Sequence, residues 1–334
     1  MSGTAYTGGP FNPNVEEPRV KKLLFLSPAL TLLLTCTALA QTVVATIPVG
    51  SAPSLLAVDR KSNLIYVSNA GSNSVSVIDG SSNTVINTDP VGSFPQAVAA
   101  NSNANRIYVG VFGSTQQLSV INGATNQVKQ FQVGKSGVAT GLTVNPSTAM
   151  VYICNPSNNL VVFNGKTNKI TTTLSVPNCS FGINVISKTN LIYAATFTPN
   201  ITVIDGSSNT IVNTLPLDLT GAVTVAADAQ SNHLGVVDTN AGKFEVIDAS
   251  TGDVLGTVTG LQRPFGAVYL PGARYALVTE ENGNDLAVID ATNFSVKSRT
   301  PVGQFPLGLD YDPLTRLAYV VNMTDGTVSV VSIP

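Results

Sequence analysis

The chain has 334 residues, 43% of them hydrophobic and only 11% charged, with a formal net charge of −2 and a single histidine. Near-neutral charge with no Lys/Arg run supplies no field for phosphate backbones, which argues against a nucleic-acid partner. One histidine rules out His-rich copper or haem ligation, and abundant Ser, Thr, Asn and Gly suit short strands joined by polar turns better than a helical bundle.

The chain opens with a polar extension. Val20-Lys21-Lys22 then leads into the apolar stretch LLFLSPALTLLLTCTALA. A basic segment, an apolar run and Ala38-Leu39-Ala40 before Gln41 read as a secretory signal over about residues 20–40, cleaved between Ala40 and Gln41. Ser27, Pro28 and three threonines break the run, so it is a poor membrane span. Lipid attachment at Cys36 is disfavoured because Thr35 is large for the position before the cysteine. A start at Val20 would account for the odd polar residues 1–19. The mature protein is expected in the periplasm or outside the cell.

Residues 41–334 are expected to form one domain. Length alone would allow two, but a repeat overrides it. SVSVIDGSSNTVI at 74–86 returns as NITVIDGSSNTIV at 200–212, with weaker copies between and beyond. Asp79, Asn122, Asn164, Asp205, Asp248, Asp290 and Ser332 mark a period of about 42 residues, the signature of stacked or circular units that bury their apolar faces on one another. Within residues 53–91, apolar runs begin at Pro53, Leu64, Ser74 and Thr84, separated by Asn/Asp/Gly/Ser turns. Four short strands and tight turns make one antiparallel propeller blade. Seven copies predict an all-β, seven-bladed propeller. The last copy stops after its third strand, while Thr42–Gly50 ends in the same Pro-Val-Gly as Thr84–Gly92. The N-terminal strand is therefore expected to complete the last blade, hiding two sheet edges.

The second strands read YVSN at 66–69, YICN at 152–155 and YVVN at 319–322. With the VIDG and SNTV strings, residues 41–334 resemble the YVTN-type β-propeller repeat family of exported bacterial and archaeal proteins. The resemblance implies a secreted or periplasmic interaction module. Residues 235–238 and 276–279 lack the tyrosine, so blades 5 and 6 depart from the pattern.

Propellers commonly bind where loops converge at one tunnel mouth. The loops leading into each first strand align at Ala52, Phe94, Val138, Cys179, Gly221, Arg263 and Phe305. Phe94, Arg263 and Phe305 are the candidate binding face: an aromatic mouth with a cation for an anionic group. The simpler expectation is that Phe94 and Phe305, each before a proline, wedge adjacent blades. The loops after the second strands offer Asp238, Glu280, Glu281, Asp285 and Asp325, hard oxygens of the kind calcium takes, although no calcium-loop spacing is present. Acidic turn residues are more often simply solvated. Cys154 and Cys179 fall toward one face, as a disulfide or as two buried thiols. His233 aligns with Leu64, Arg106 and Met150 at the far end of the tunnel, a poor catalytic position. No Gly-x-Ser-x-Gly elbow and no tryptophan repeat is present.

The expectation is a monomeric, non-enzymatic scaffold engaging a protein or extracellular polymer, without a cofactor. The alternatives are a lactonase-like metal-assisted hydrolase, which would need acidic or amide side chains converging on one point, and a surface-layer subunit with apolar blade sides.

Overall fold

A computed structural model describes residues 41–334, apart from 113–114, 136–138, 156–158, 229, 273 and 334; before them it describes only 3–5 and 8–9. The signal segment and Ala40 lie outside the described residues.

The described part of 41–334 is entirely strand and turn. The first strand is β1 (Thr42–Pro48). Blade 1 comprises β2 (Pro53–Asp59), β3 (Leu64–Asn69), β4 (Ser74–Asp79) and β5 (Thr84–Pro90). Blade 2 comprises β6 (Val98–Asn101), β7 (Arg106–Val111), β8 (Gln117–Asn122) and β9 (Val128–Gln132). Blade 3 is β10 (Gly141–Asn145), β11 (Met150–Asn155), β12 (Asn159–Asn164) and β13 (Lys169–Ser175). Blade 4 is β14 (Cys179–Ile186), β15 (Leu191–Thr196), β16 (Asn200–Asp205) and β17 (Thr210–Pro216). Blade 5 is β18 (Ala222–Asp228), β19 (His233–Asp238), β20 (Lys243–Asp248) and β21 (Val254–Val258). Blade 6 is β22 (Pro264–Tyr269), β23 (Tyr275–Glu280), β24 (Asp285–Asp290) and β25 (Ser295–Pro301). Blade 7 is β26 (Pro306–Asp312), β27 (Leu317–Asn322) and β28 (Thr327–Ser332), with β1 hydrogen-bonded to β28 as its outermost strand. The ring thus has seven four-stranded antiparallel blades, closed by the N-terminal strand as expected.

Side-chain alternation puts an apolar row on each face of a blade, and the cores lie between blades. Each of the seven clusters draws on two neighbours; Tyr66 and Val77 of blade 1, for example, pack with Val98 and Val109 of blade 2. The turns are set by short polar side chains. Asp79 Oδ1 accepts the Ser81 amide at 2.8 Å, and Asp205 does the same for Ser207. These hydrogen bonds hold both carboxyls below the ordinary aspartate range.

At three blade interfaces the repeated tyrosine and the repeated turn glycine are two halves of one contact. A Cβ on Gly80 would sit 2.9 Å from Tyr319 Oη of the preceding blade, and one on Gly123 would sit 3.2 Å from Tyr66 Oη. Gly165 stands in the same relation to Tyr108. Blade 5 carries Gly235 in place of the tyrosine, and the turn it would face has Ala291; blade 6 carries Leu277, which packs with Ile333. Blade 4 keeps its tyrosine, Tyr193, against a turn that carries Ala249, and the two pack in one core, so tyrosine does not demand glycine at every interface. Gly165→Ala should destabilise by about 1–3 kcal/mol through overpacking, and adding Tyr108→Phe should recover part of that loss. Urea midpoints of the four proteins would show it; strict additivity would mean the hydroxyl is not what excludes the Cβ.

Outermost strands are exposed edges, and six of the seven (β1, β5, β13, β17, β21, β25) carry a bulge against their neighbour. Bulges disfavour edge-to-edge pairing. The exception, β9, has unbroken register and exposes Lys129 instead.

Candidate functional site

The loops leading into first strands and the turns after second strands share one end of the tunnel, joined by backbone hydrogen bonds. Ala70 N donates to Ala52 O at 3.0 Å, Glu281 N to Arg263 O at 3.0 Å and Met323 N to Phe305 O at 3.1 Å. Ala52, Phe94, Arg263 and Phe305 all take a left-handed φ between 46° and 55°. The conformation belongs to the loop rather than to any one side chain. In blade 4 that place is filled by Asn178 (φ 54°), with Phe197 N bonded to its carbonyl. The sequence alignment at Cys179 is therefore one residue late, and Val138 lies outside the described residues.

Phe94 is 46% exposed, with its amide held by Asn73 Oδ1 of blade 1 at 2.8 Å. Phe305 is half-buried, held likewise by Asn284 Oδ1 at 3.0 Å. Two further exposed rings, Phe112 (45%) and Phe197 (46%), stand at the same end on the turns after second strands. Just inside the mouth, Phe181 of blade 4 and Phe265 of blade 6 meet edge to face, centroids 5.6 Å apart, across the inner strand of blade 5. Six of the ten phenylalanines among the described residues thus gather at this mouth.

Arg263 does not stand free for an anion. Its Nε lies 2.5 Å from Oε2 of buried Glu281. The other acidic candidates are also engaged. In blades 1 and 7 the last residue of the second strand is an asparagine that ties the loop together. Asn69 Nδ2 donates to Ser74 and Ser76, and Asn322 accepts the Gly303 amide at 3.1 Å. Blade 5 places Asp238 there, accepting the amides of Thr220 (2.7 Å), Asn240 (3.0 Å) and Ala241 (2.9 Å). Blade 6 places Glu280 there, accepting Gln262 N at 2.6 Å and Arg299 Nε at 2.6 Å. Asp325 accepts Gln304 N at 2.7 Å. Among the described residues no three His, Cys, Asp or Glu side chains group as metal ligands.

Asp285 pairs in register with Glu280 on the β23–β24 hairpin, and its Oδ2 is 3.9 Å from Arg299 Nε. Burial, then the shared proton and charge of Glu280, push its carboxyl up to about 7. Burial opposes charge on Glu280 as well, but the bonds from Arg299, Asp285 and the Gln262 amide outweigh it and hold that carboxyl low. The folded state keeps a proton on Asp285 that the unfolded chain releases near pH 4. This contribution is full below about pH 4 and is lost as pH rises to about 7. The urea midpoint should fall between pH 5 and 7.5 relative to Asp285→Asn; parallel profiles would contradict the shared proton.

The tunnel holds a cavity of about 470 Å³. One turn-ward ring of inner-strand positions is Ala57, Ala99, Thr143, Asn184, Ala226, Val268 and Asp310. Its single carboxylate, Asp310, accepts Val58 N at 3.0 Å and Arg60 at 2.8 Å, joining blade 7 to blade 1. Asn184 donates to Val225 O of blade 5 at 3.5 Å. His233 opens β19 at the opposite end from the aromatic mouth.

Cys154 and Cys179 are disulfide-bonded, Cα atoms 5.3 Å apart, across the blade 3–blade 4 interface.

No protein-family model matches the chain, and no curated protein matches it. Solved structures do. The chain is similar to Kuenenia stuttgartiensis hydrazine synthase at 15% identity and a TM-score of 0.75, over 84% of this chain and 96% of that one. At that identity the likeness is one of fold, and 1830 chains match, so it carries no activity.

Proposed function

We propose that this protein is an exported, non-enzymatic binding propeller that engages a protein or extracellular polymer through its aromatic mouth. One observation carries the reading: six phenylalanines converge on the loop end, three of them about half exposed. Exposed aromatics concentrated on one face are the usual anchors of an interface. The carboxylates of that face support a binding role over hydrolysis, since Asp238, Glu280 and Asp325 are engaged with backbone amides.

The test is a pulldown from native envelope with the wild type and with Phe94→Ser/Phe112→Ser/Phe197→Ser, whose rings already face solvent. The variant should melt as the wild type does and lose the partner. Retention of every partner by the variant would remove this face from consideration.

A further inference from the structure

The formal charge of the chain conceals an asymmetry. Residues 90–204 contain no aspartate or glutamate, but they carry Arg106, Lys129, Lys135, Lys166, Lys169 and Lys188. The rest of 41–334 holds eight basic against seventeen acidic side chains. Ten of those seventeen carboxylates are buried, whereas no described lysine or arginine is. The surface of blades 2 and 3 is therefore cationic, although the sum of charges is negative; blade 4 carries Asp205 as well as Lys188 at its turns.

All but Lys135 of the six lie on the turn end, opposite the aromatic mouth. Arg106, Lys129, Lys166 and Lys169 are organised around one notch between blades 2 and 3; Lys188 lies apart, on the β14–β15 turn of blade 4. Arg106 reaches across to the β12–β13 turn, donating to Gly165 O and, at 3.0 Å, to Asn168 Oδ1. That turn carries exposed Lys166 and Lys169. Lys129 lines the same notch beside Phe131, Asn122 and Gln127, around a cavity of about 110 Å³. No ion pair among the described residues involves any of these cations.

The geometry points to a docking surface for an acidic polysaccharide on the turn-end rim of blades 2 and 3, separate from the mouth. Cations alone would suit any polyanion. Gln127 narrows the choice, because its exposed amide offers both donors and an acceptor, whereas the Asn122 and Asn168 oxygens already accept the Ala124 and Thr125 amides and Arg106. Acceptors are useless to a carboxylate or phosphate but match sugar hydroxyls. A uronate unit would set its carboxylate on the cations, a hydroxyl on Gln127 and a ring face on Phe131. The next unit would meet Lys166 and Lys169 on the β12–β13 turn.

Affinity electrophoresis of the full protein at 150 mM salt tests this, with polygalacturonate, neutral dextran and poly-L-glutamate in the gel and with anionic phospholipid vesicles in parallel flotation. Polygalacturonate should bind at least tenfold more tightly than the other three. Lys129→Gln/Lys166→Gln/Lys169→Gln should weaken it at least tenfold with an unchanged melting temperature, and Lys135→Gln should not. Equal binding of polyglutamate or vesicles would make the rim a general polyanion surface and overturn the proposal. So would no retardation by polygalacturonate, or undiminished binding by the triple variant.

Discussion

Deleting residues 41–49 should lower the melting temperature by at least about 10 °C and broaden the transition. Among the described residues, β1 alone joins the chain's two ends by strand pairing. Its register with β28 runs from Thr42↔Ser332 to Pro48↔Thr327, and Val49 N adds a bond to Gly326 O at 2.9 Å. Of its side chains Ile47 is buried, in the core between blades 7 and 1. At a net value of roughly 1 kcal/mol per backbone hydrogen bond, plus about 2 kcal/mol for Ile47, the strand is worth a large share of the 5–15 kcal/mol typical of whole proteins. What remains at the joint is the packing of blade 7 strands on blade 1 strands, the Val58 N–Asp310 and Arg60–Tyr311 hydrogen bonds, and the Arg60–Asp310 pair, whose arginine is 46% exposed. A pair that open contributes about 0–1 kcal/mol. Adding a synthetic 41–49 peptide to the truncated protein should restore part of the lost stability. A truncated protein that melts like the wild type would show that the ring does not depend on its latch.

The repeat made blade number, strand boundaries and closure legible, because the spacing of Asp79, Asp205 and their counterparts is the spacing of the blades. The site was less legible, for reasons that can be placed on particular residues. Phe112 and Phe197 occupy the position held by Ala70, Thr239 and Glu281 in other blades. A reading that scores repeat positions passes over side chains that depart from them. Arg263 read as a free cation because its partner, Glu281, lies eighteen residues on, and only the loop hydrogen bonds bring the two together. Asp238 and Glu280 could be read only as weak oxygen-ligand candidates or solvated turn acids, because sequence does not show that they stand where blades 1 and 7 carry Asn69 and Asn322 and accept backbone amides there. The cationic rim was hidden by summation. A net charge counts a buried, turn-capping aspartate and an exposed lysine equally, but only the second meets a partner.

Replacing the disulfide by Cys154→Val/Cys179→Ala should cost about 3.5 kcal/mol in the chain-entropy description, given the 25-residue separation it spans. For a domain of this size that corresponds to a fall of about 6 °C in melting temperature. Apolar replacements are the informative choice because both sulfurs are fully buried beside Leu160, Val176 and Ile183, where serine would add an unsatisfied hydroxyl. The bridge and β1 reinforce the ring differently. β1 closes the ring where no covalent chain runs, whereas Cys154–Cys179 shortens a path already covalent through β12 and β13. The bridge should therefore stabilise chiefly by restricting the unfolded chain, leaving the fold of the variant unchanged. A reductant should lower the melting temperature of the wild type and leave that of the variant where it is. Bridges persist in oxidising compartments, so protein kept in a reducing cytosol should yield alkylatable thiols at 154 and 179 and melt like the variant. If reductant shifts both proteins equally, or neither, the bridge contributes nothing to stability and the blade 3–blade 4 interface rests on packing alone.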